Sequence, residues 1–251
     1  MDYTQHLLLF VIAVVANWFS ALAGGGAGLI QLPILIFMGL PFSLALATHK
    51  IATVALGLGA TLRHLKEKNS SIPLLALILL AGIPGVVLGA YFIIDTNDRA
   101  AEIVLGFLTL SLAVYSILKP ELGLTKTRLH RNATGIALGA LGLFVIGIAN
   151  GSLSAGSGLF VTLWLVYWFG LDYRMAVAHT LIAVGLGWNA SGAITMTLLA
   201  AVKWDWLPAL VLGSLVGGYL GANSSIKAGN IWIKRCYEGV TFLVGIKLLM
   251  G

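Results

Sequence analysis

The chain has 251 residues, of which 59% are hydrophobic and only 10% are charged, and its mean hydropathy is +0.98. A soluble domain carries about 25% charged residues, so this composition excludes a soluble globular fold and predicts an all-α polytopic membrane protein. The formal charge of +6 would suit a nucleic-acid partner. Basic loops of a membrane protein are explained first by topology, however, so we expect the lipid bilayer and no nucleic acid as partners.

Five helical segments are predicted in each half of the chain. In the first half they cover residues 5–23, 27–40, 42–62, 72–94 and 100–118; in the second half they cover 132–150, 156–170, 174–200, 206–224 and 232–250. A full span needs about 20 residues, so 27–40 and 156–170 are short for one. The glycine-rich runs that precede them predict broken or re-entrant segments.

The two halves carry one motif twice. GGGAGLIQLPILIFMGL at 24–40 matches SAGSGLFVTLWLVYWFGL at 154–171, with Gly26 falling on Gly156, and ATHKIA matches AHTLIA one residue further along. Four small residues of later segments also match: Gly85 with Gly217 and Gly89 with Gly221. Near-constant spacing over about seventy positions predicts an internal duplication.

The duplication divides the chain into a first transmembrane repeat (1–118), a basic linker (119–131) and a second transmembrane repeat (132–251). With five segments per half, one side holds eleven basic residues: Arg63, Lys66, Lys68, Lys119, Lys126, Arg128, Arg131, Arg174, Lys227, Lys234 and Arg235. The opposite side holds three: Arg99, Lys203 and Lys247. The positive-inside rule then predicts a cytoplasmic linker and an external N-terminus. An odd number of segments also predicts two inverted-topology repeats, a recurring plan of secondary transporters.

Lys50 interrupts an otherwise apolar segment eight residues past Phe42, or about 12 Å along a helix. A charge at a helix centre costs about 2.5–3.5 kcal/mol on insertion scales. We interpret Lys50 as a cation that faces an aqueous cavity and meets an anionic ligand. The alternative is a lysine that snorkels to the interface because the segment is tilted.

Further polar residues surround this lysine and its counterpart in the second repeat. His49 and His179 occupy nearly equivalent places, beside Thr48 and Thr180, and all four can donate hydrogen bonds to an oxyanion. Asn189, inside 174–200, is a candidate ligand or a helix–helix hydrogen-bonding residue. Asn17 and Asn150 lie near helix ends and can equally serve as caps.

The glycine-rich runs 24–28 and 154–158 precede short apolar segments. Such a helix start exposes backbone N–H groups at the positive end of the helix dipole, which suits an anion. Gly25 and Gly26 would bring the backbone close, while Ser154 and Ser157 would add hydroxyl donors. The alternative is a simple packing turn.

The nine acidic residues all fall in or near predicted loops and segment ends: Asp2, Glu67, Asp95, Asp98, Glu102, Glu121, Asp172, Asp205 and Glu238. Without a midplane carboxylate, a carrier of metal cations or amines and a carboxylate-dependent intramembrane enzyme are both disfavoured. We expect no catalytic residue, no metal site and no cofactor.

The stretches GGGAGLIQLPILIFMGLP and ALATHKIATVALGLGATLRHL, with a degenerate second copy in GSGLF and AVAHTLIA, resemble the sulfite exporter TauE/SafE family. The resemblance covers about residues 8–248. It implies a multi-pass permease of the bacterial inner membrane that moves sulfite, thiosulfate, sulfonates or related small organic anions. His49 stands where many members have Asn or Ser.

The sequence therefore predicts a secondary transporter of a small anion that works by alternating access, and either histidine could couple it to protons. One rival is a cation permease. Another is a helical membrane enzyme or assembly factor with a buried histidine site. Substrate, direction and coupling ion stay open, and a homodimer is compatible with the sequence.

Overall fold

The computed structural model describes residues 3–67, 70–92, 98–127, 129–154 and 156–250. The first half contains α1 (Tyr3–Ala23), α2 (Ala27–Phe37), α3 (Phe42–His64), α4 (Ile72–Phe92) and α5 (Asp98–Leu118). The second half contains α6 (Ala133–Leu153), α7 (Ser157–Tyr167), α8 (Tyr173–Thr180), a π-helix (Leu181–Trp188), α9 (Asn189–Leu199) and α10 (Leu207–Met250). No strand occurs in these described ranges, which confirms the all-α fold.

Within the described residues, six helical stretches are long and apolar enough to cross a membrane: Tyr3–Ala23, Phe42–Glu67, Ile72–Phe92, Ala133–Leu153, Tyr173–Leu199 and Trp204–Met250. The chain is thus a multi-pass membrane protein. The predicted segments 206–224 and 232–250 are joined in α10, where Gly229 (φ 76°, ψ 167°) interrupts the helical conformation between them.

The two short helices confirm the prediction of broken segments. α2 and α7 each have 11 residues, and each begins after a left-handed glycine, Gly26 (φ 100°) or Gly156 (φ 76°). Left-handed glycines also follow both helices, at Gly39 and Gly170. Only glycine adopts this conformation at little cost, so the sequence stops the helix at both ends and does so at repeat-equivalent positions.

Each repeat packs its fourth segment against the first helix of the other repeat. A Cβ added at four glycines would lie only 2.1–2.4 Å from a carbonyl oxygen of the facing helix: Gly85 on Phe144, Gly89 on Ile148, Gly217 on Val14 and Gly221 on Trp18. The contacted residues are also repeat mates, because Val14 and Phe144, like Trp18 and Ile148, are 130 positions apart. Small residues allow such close backbone approach between membrane helices.

α3 crosses the π-helix and α9 at the centre of the molecule. A Cβ at Gly57 would lie 2.1 Å from the carbonyl carbon of Gly185, and one at Gly192 would lie 2.9 Å from Cδ of Lys50. From Lys50 to Gly57 along α3, the contacted residue changes from Gly192 back to Gly185. The two elements therefore run in opposite directions. The inverted-repeat topology itself stays a prediction.

The expectation that every acidic residue lies near a loop or a segment end was wrong for Glu238. Its side chain is buried within α10, 3.0 Å from Lys234 Nζ, and accepts a hydrogen bond from the Ser116 hydroxyl at 3.0 Å. The carboxylate tolerates burial because a cation one helical turn away compensates it. Lys68, Asp95 and Arg128 lie outside the described residues, as do the side chains of Arg99 and Glu102.

Candidate substrate site

A small polar cavity of about 30 Å³ lies where the two helix breaks meet. Seventeen residues line it: Ser20, Gly25, Gly26, Ala27, Gly28, His49, Thr53, Leu56, Asn150, Ser154, Ser157, Gly158, Thr180, Leu181, Val184, Gly185 and Asn189. Seven of the ten predicted site residues are among them: Gly25, Gly26, His49, Ser154, Ser157, Thr180 and Asn189. Both repeats therefore contribute to one site.

The two breaks touch through glycine backbones. A Cβ at Gly25 would lie 2.5 Å from the carbonyl carbon of Gly158, and one at Gly158 would lie 2.8 Å from Cα of Gly25. This approach brings the first turns of α2 and α7 to the same cavity. Because the first N–H groups of a helix have no partner within it, two positive helix ends converge there.

Three buried polar atoms of the cavity lining have no hydrogen-bond partner in the described part of the chain: Ser20 Oγ, His49 Nδ1 and Asn189 Oδ1. Their residues are only 2%, 1% and 7% exposed. Buried polar groups are normally hydrogen-bonded. Their convergence on a cavity between two helix starts therefore marks a site for a polar ligand or water.

Lys50 is fully buried and does not line the cavity, so the expectation that it faces an aqueous cavity was wrong. Its Nζ donates to the carbonyl oxygen of Asn150 at 2.6 Å and to Oδ1 of the same residue at 3.0 Å. The Asn150 amide in turn donates to Ser157 Oγ at 2.8 Å. Lys50 makes no ion pair within the described ranges. Its charge thus lies behind Asn150, which does line the cavity.

Thr48 and His179 also point away from the cavity and have matching structural roles. The Thr48 hydroxyl donates to Leu44 O at 2.7 Å and accepts the backbone N–H of Lys203 at 3.0 Å. His179 Nδ1 lies 2.7 Å from Met175 O, and its Nε2 accepts the backbone N–H of Ser71 at 2.9 Å. Each residue therefore holds the loop that precedes the fourth segment of the other repeat.

This placement corrects the pairing of the two histidines. At a spacing of 131, Thr48 is the mate of His179 and His49 is the mate of Thr180. The first pair binds loops, while the second pair lines the cavity. Thr180 is also anchored there, 2.9 Å from the hydroxyl of Thr162.

The sequence interpretation missed Ser20 and Thr53 as lining residues and took Asn150 for a possible cap. The repeat spacing carried a usable signal, because Ser20 and Asn150 are 130 positions apart and both face the cavity. Thr53 had no polar mate to mark it, because the residue 131 positions later is Val184, which also lines the cavity. The Thr53 hydroxyl lies 3.0 Å from both His49 O and Lys50 O, an ordinary helix back-bond.

The apolar helices that enclose this cavity are those of a multi-pass membrane protein. The chain belongs to the sulfite exporter TauE/SafE family, whose model matches residues 9–248. It is 28% identical to a probable membrane transporter protein of Haemophilus influenzae, over 99% of this chain and 97% of the relative. It is also 28% identical to the probable membrane transporter protein ORF9 of Sinorhizobium sp, and 24% identical to the probable membrane transporter protein YfcA of Escherichia coli K12. These matches cover 99% and 96% of this chain, and 94% and 88% of the relatives. No solved structure matches the chain.

Proposed function

We propose that the protein is a secondary transporter that moves a small anion, such as sulfite, thiosulfate or an organosulfonate, across the bacterial inner membrane by alternating access. The observation that carries the proposal is the convergence of two helix N-termini on a cavity that contains no carboxylate. Both helix ends favour negative charge. The buried Lys50 ammonium donates to Asn150, which lines the cavity, and so adds positive electrostatic potential close to the site.

The size of the cavity limits the substrate. Its 30 Å³ is room for two or three water molecules, at about 10–15 Å³ each, whereas pockets for drug-sized ligands measure about 300–1,000 Å³. A few-atom oxyanion fits this scale only if the site widens. In this proposal the cavity has to widen during the transport cycle to admit its substrate.

Two contacts between the repeats provide a gate on the linker side. Glu67 binds Arg63 at 2.9 Å and Arg174 of the second repeat at 2.8 Å. The second contact is the hydrogen bond from the backbone N–H of Ser71, four residues after Glu67 in the chain, to His179 Nε2. Asn230 ties this region to the linker, because it accepts the Arg174 N–H and donates to Leu124 O.

The opposite end is held differently, by the hydrogen bond from Lys203 N to Thr48. The repeat mates of Glu67 and Arg174 are uncharged, being Leu199 and Ser43 at spacings of 132 and 131. Gates of unequal strength at the two ends of one cavity support alternating access between inverted repeats. Of the two histidines, only His49 lines the cavity, and its Nδ1 has no hydrogen-bond partner among the described residues, whereas both nitrogens of His179 are engaged; any proton coupling is therefore assigned to His49.

Transport by purified protein in liposomes tests the proposal. Wild type should take up at least one of sulfite, thiosulfate, a sulfonate or a carboxylate with saturation, and Lys50→Ala should lose most of this uptake. If Lys50→Ala does not fold, uptake is measured instead with Ser157→Ala, because this substitution removes only one hydroxyl group from the site. Absence of anion uptake by wild type, or saturable cation uptake that survives loss of Lys50, would overturn the proposal.

A further inference from the structure

A second, larger depression of about 760 Å³ lies between α5 of the first repeat and α6 and α7 of the second. We propose that it binds one acyl chain of an anionic glycerophospholipid from the surrounding leaflet, with the phosphate against the basic linker. We call it the aromatic groove, and its main walls are Tyr115, Leu138, Val145, Trp164, Tyr167 and Trp168. Leu138, Val145 and Tyr167 are 48%, 56% and 46% exposed on a face of apolar helices.

The aromatic walls are preformed. The rings of Trp164 and Trp168 stack with centroids 5.1 Å apart and planes 5° apart. Their indole N–H groups donate to Gly139 O at 3.1 Å and Gly135 O at 2.9 Å. Because α6 accepts both indole N–H groups, the two tryptophans present apolar ring surface to the groove, which an acyl chain can cover.

The length of the groove matches one leaflet. It follows α7 from Phe160, near the central cavity, to Trp168 at the linker end. Eight residues of helix rise about 12 Å, close to half of the roughly 30 Å hydrocarbon thickness. An acyl chain in the linker-side leaflet would therefore lie along the groove over most of its depth.

Positive charge borders the linker end of the groove. The ring of His130 stacks on Trp168, with centroids 4.2 Å apart. The neighbouring Arg131 donates to Phe169 O at 3.3 Å and is itself exposed. Residues 119–131 contain four Lys or Arg residues and one Glu. A basic segment beside a membrane helix attracts anionic headgroups with about 1 kcal/mol per Lys or Arg. This charge favours a phospholipid headgroup over the apolar face of a second copy.

Quenching of tryptophan fluorescence tests the proposal on the full chain in detergent. The probe is phosphatidylglycerol with brominated acyl chains, added at a few equivalents, and brominated phosphatidylcholine is the neutral comparison. Phosphatidylglycerol should quench with saturation and at lower concentration. The quenched fraction should fall in Trp164→Phe/Trp168→Phe, which lacks the reporters of the groove.

One double variant in the linker and one variant on α10 separate headgroup recognition from general charge. Lys126→Gln/Arg131→Gln should bind phosphatidylglycerol about thirtyfold more weakly, about fivefold per charge. Lys227→Gln, an exposed lysine on α10, is the matched control and should bind like wild type. Native mass spectrometry counts bound lipid independently of fluorescence, and it also reports the oligomeric state.

Three results would overturn the proposal. They are equal quenching by both lipids, full quenching in Trp164→Phe/Trp168→Phe, and an equal loss of binding in Lys227→Gln. A lipid-free dimer that dissociates when Val145 is replaced by Glu would instead assign the groove to a second copy of the chain.

Discussion

The contact between Gly25 and Gly158 gives a prediction whose size can be worked from the structure. In Gly25→Ala, the new Cβ would lie 2.5–2.6 Å from the Gly158 and Leu159 backbone. The contacted atoms belong to the backbone and cannot rotate away as a side chain would. Overpacking should therefore lower the free energy of unfolding by about 1–3 kcal/mol. The backbone φ of +145° adds strain of order 1–3 kcal/mol for a non-glycine residue. We expect a total loss of about 2–6 kcal/mol in the free energy of unfolding.

Gly39→Ala is the matched control, because Gly39 also has a positive φ (+95°) but nothing lies within 4 Å of its added Cβ. It should lose only the strain contribution, about 1–2 kcal/mol. A packing difference of about 2 kcal/mol corresponds to about 4–8 °C between the two unfolding temperatures. Thermal unfolding in detergent measures it. Equal unfolding temperatures would refute the reasoning that the two helix breaks meet at this point.

Three further predictions concern the loop contacts, the gate and the cavity. Thr48→Val leaves the Lys203 N–H without its acceptor and should lower the free energy of unfolding by about 1–3 kcal/mol; Thr197→Val, which loses only a back-bond to Ala193 O, should change it by less than about 1 kcal/mol. Glu67→Gln removes the partly exposed ion pairs with Arg63 and Arg174. It should shift the conformational equilibrium by about 0.2–1 kcal/mol towards a cavity open to the linker side, whereas Asp205→Asn at the opposite end should not. Asn189→Leu removes a side-chain amide of the cavity lining, whose N–H group can donate to an anion. It should weaken anion binding at least fivefold, with little change in folding.

Each of these predictions has its own measurement. Thermal unfolding compares the two threonine variants, and equal losses would show that Thr48 holds no loop. Opening of the cavity is measured with Ser154→Cys in a Cys236→Ser background, from the rate at which an impermeant thiol reagent labels the new cysteine. If Glu67→Gln leaves this rate unchanged, the ion pairs of Glu67 do not hold the gate closed. Anion titration of Asn189→Leu with unaltered affinity would place the ligand elsewhere.

The segments of the fold could be predicted from the sequence because their signals are local. Long apolar runs mark the spans, and glycine runs followed by the short predicted segments 27–40 and 156–170 mark the breaks, which the structure has at Gly26 and Gly156. Gly85 and Gly217, which the repeat spacing matched, both lie at close helix contacts in the structure, as small residues in membrane helices commonly do.

The orientation of individual side chains could not be predicted in the same way. Thr48, His49 and Lys50 are consecutive on α3, so they point in three directions, and only His49 reaches the cavity. The partners that bind the other two, Lys203 N and Asn150, come from the second repeat. Such contacts depend on how the repeats pack, which the order of residues in ATHKI does not contain.

Anion-dependent stabilisation of the purified protein tests the central claim most directly. A ligand that binds the native state at one hundred times its Kd stabilises it by about 2.7 kcal/mol. Sulfite, thiosulfate, a sulfonate or a carboxylate should therefore raise the unfolding temperature of wild type and of Lys227→Ala, and the rise should be absent in Lys50→Ala. No rise with any of these anions, or an equal rise in Lys50→Ala, would contradict an anion site backed by the Lys50 charge.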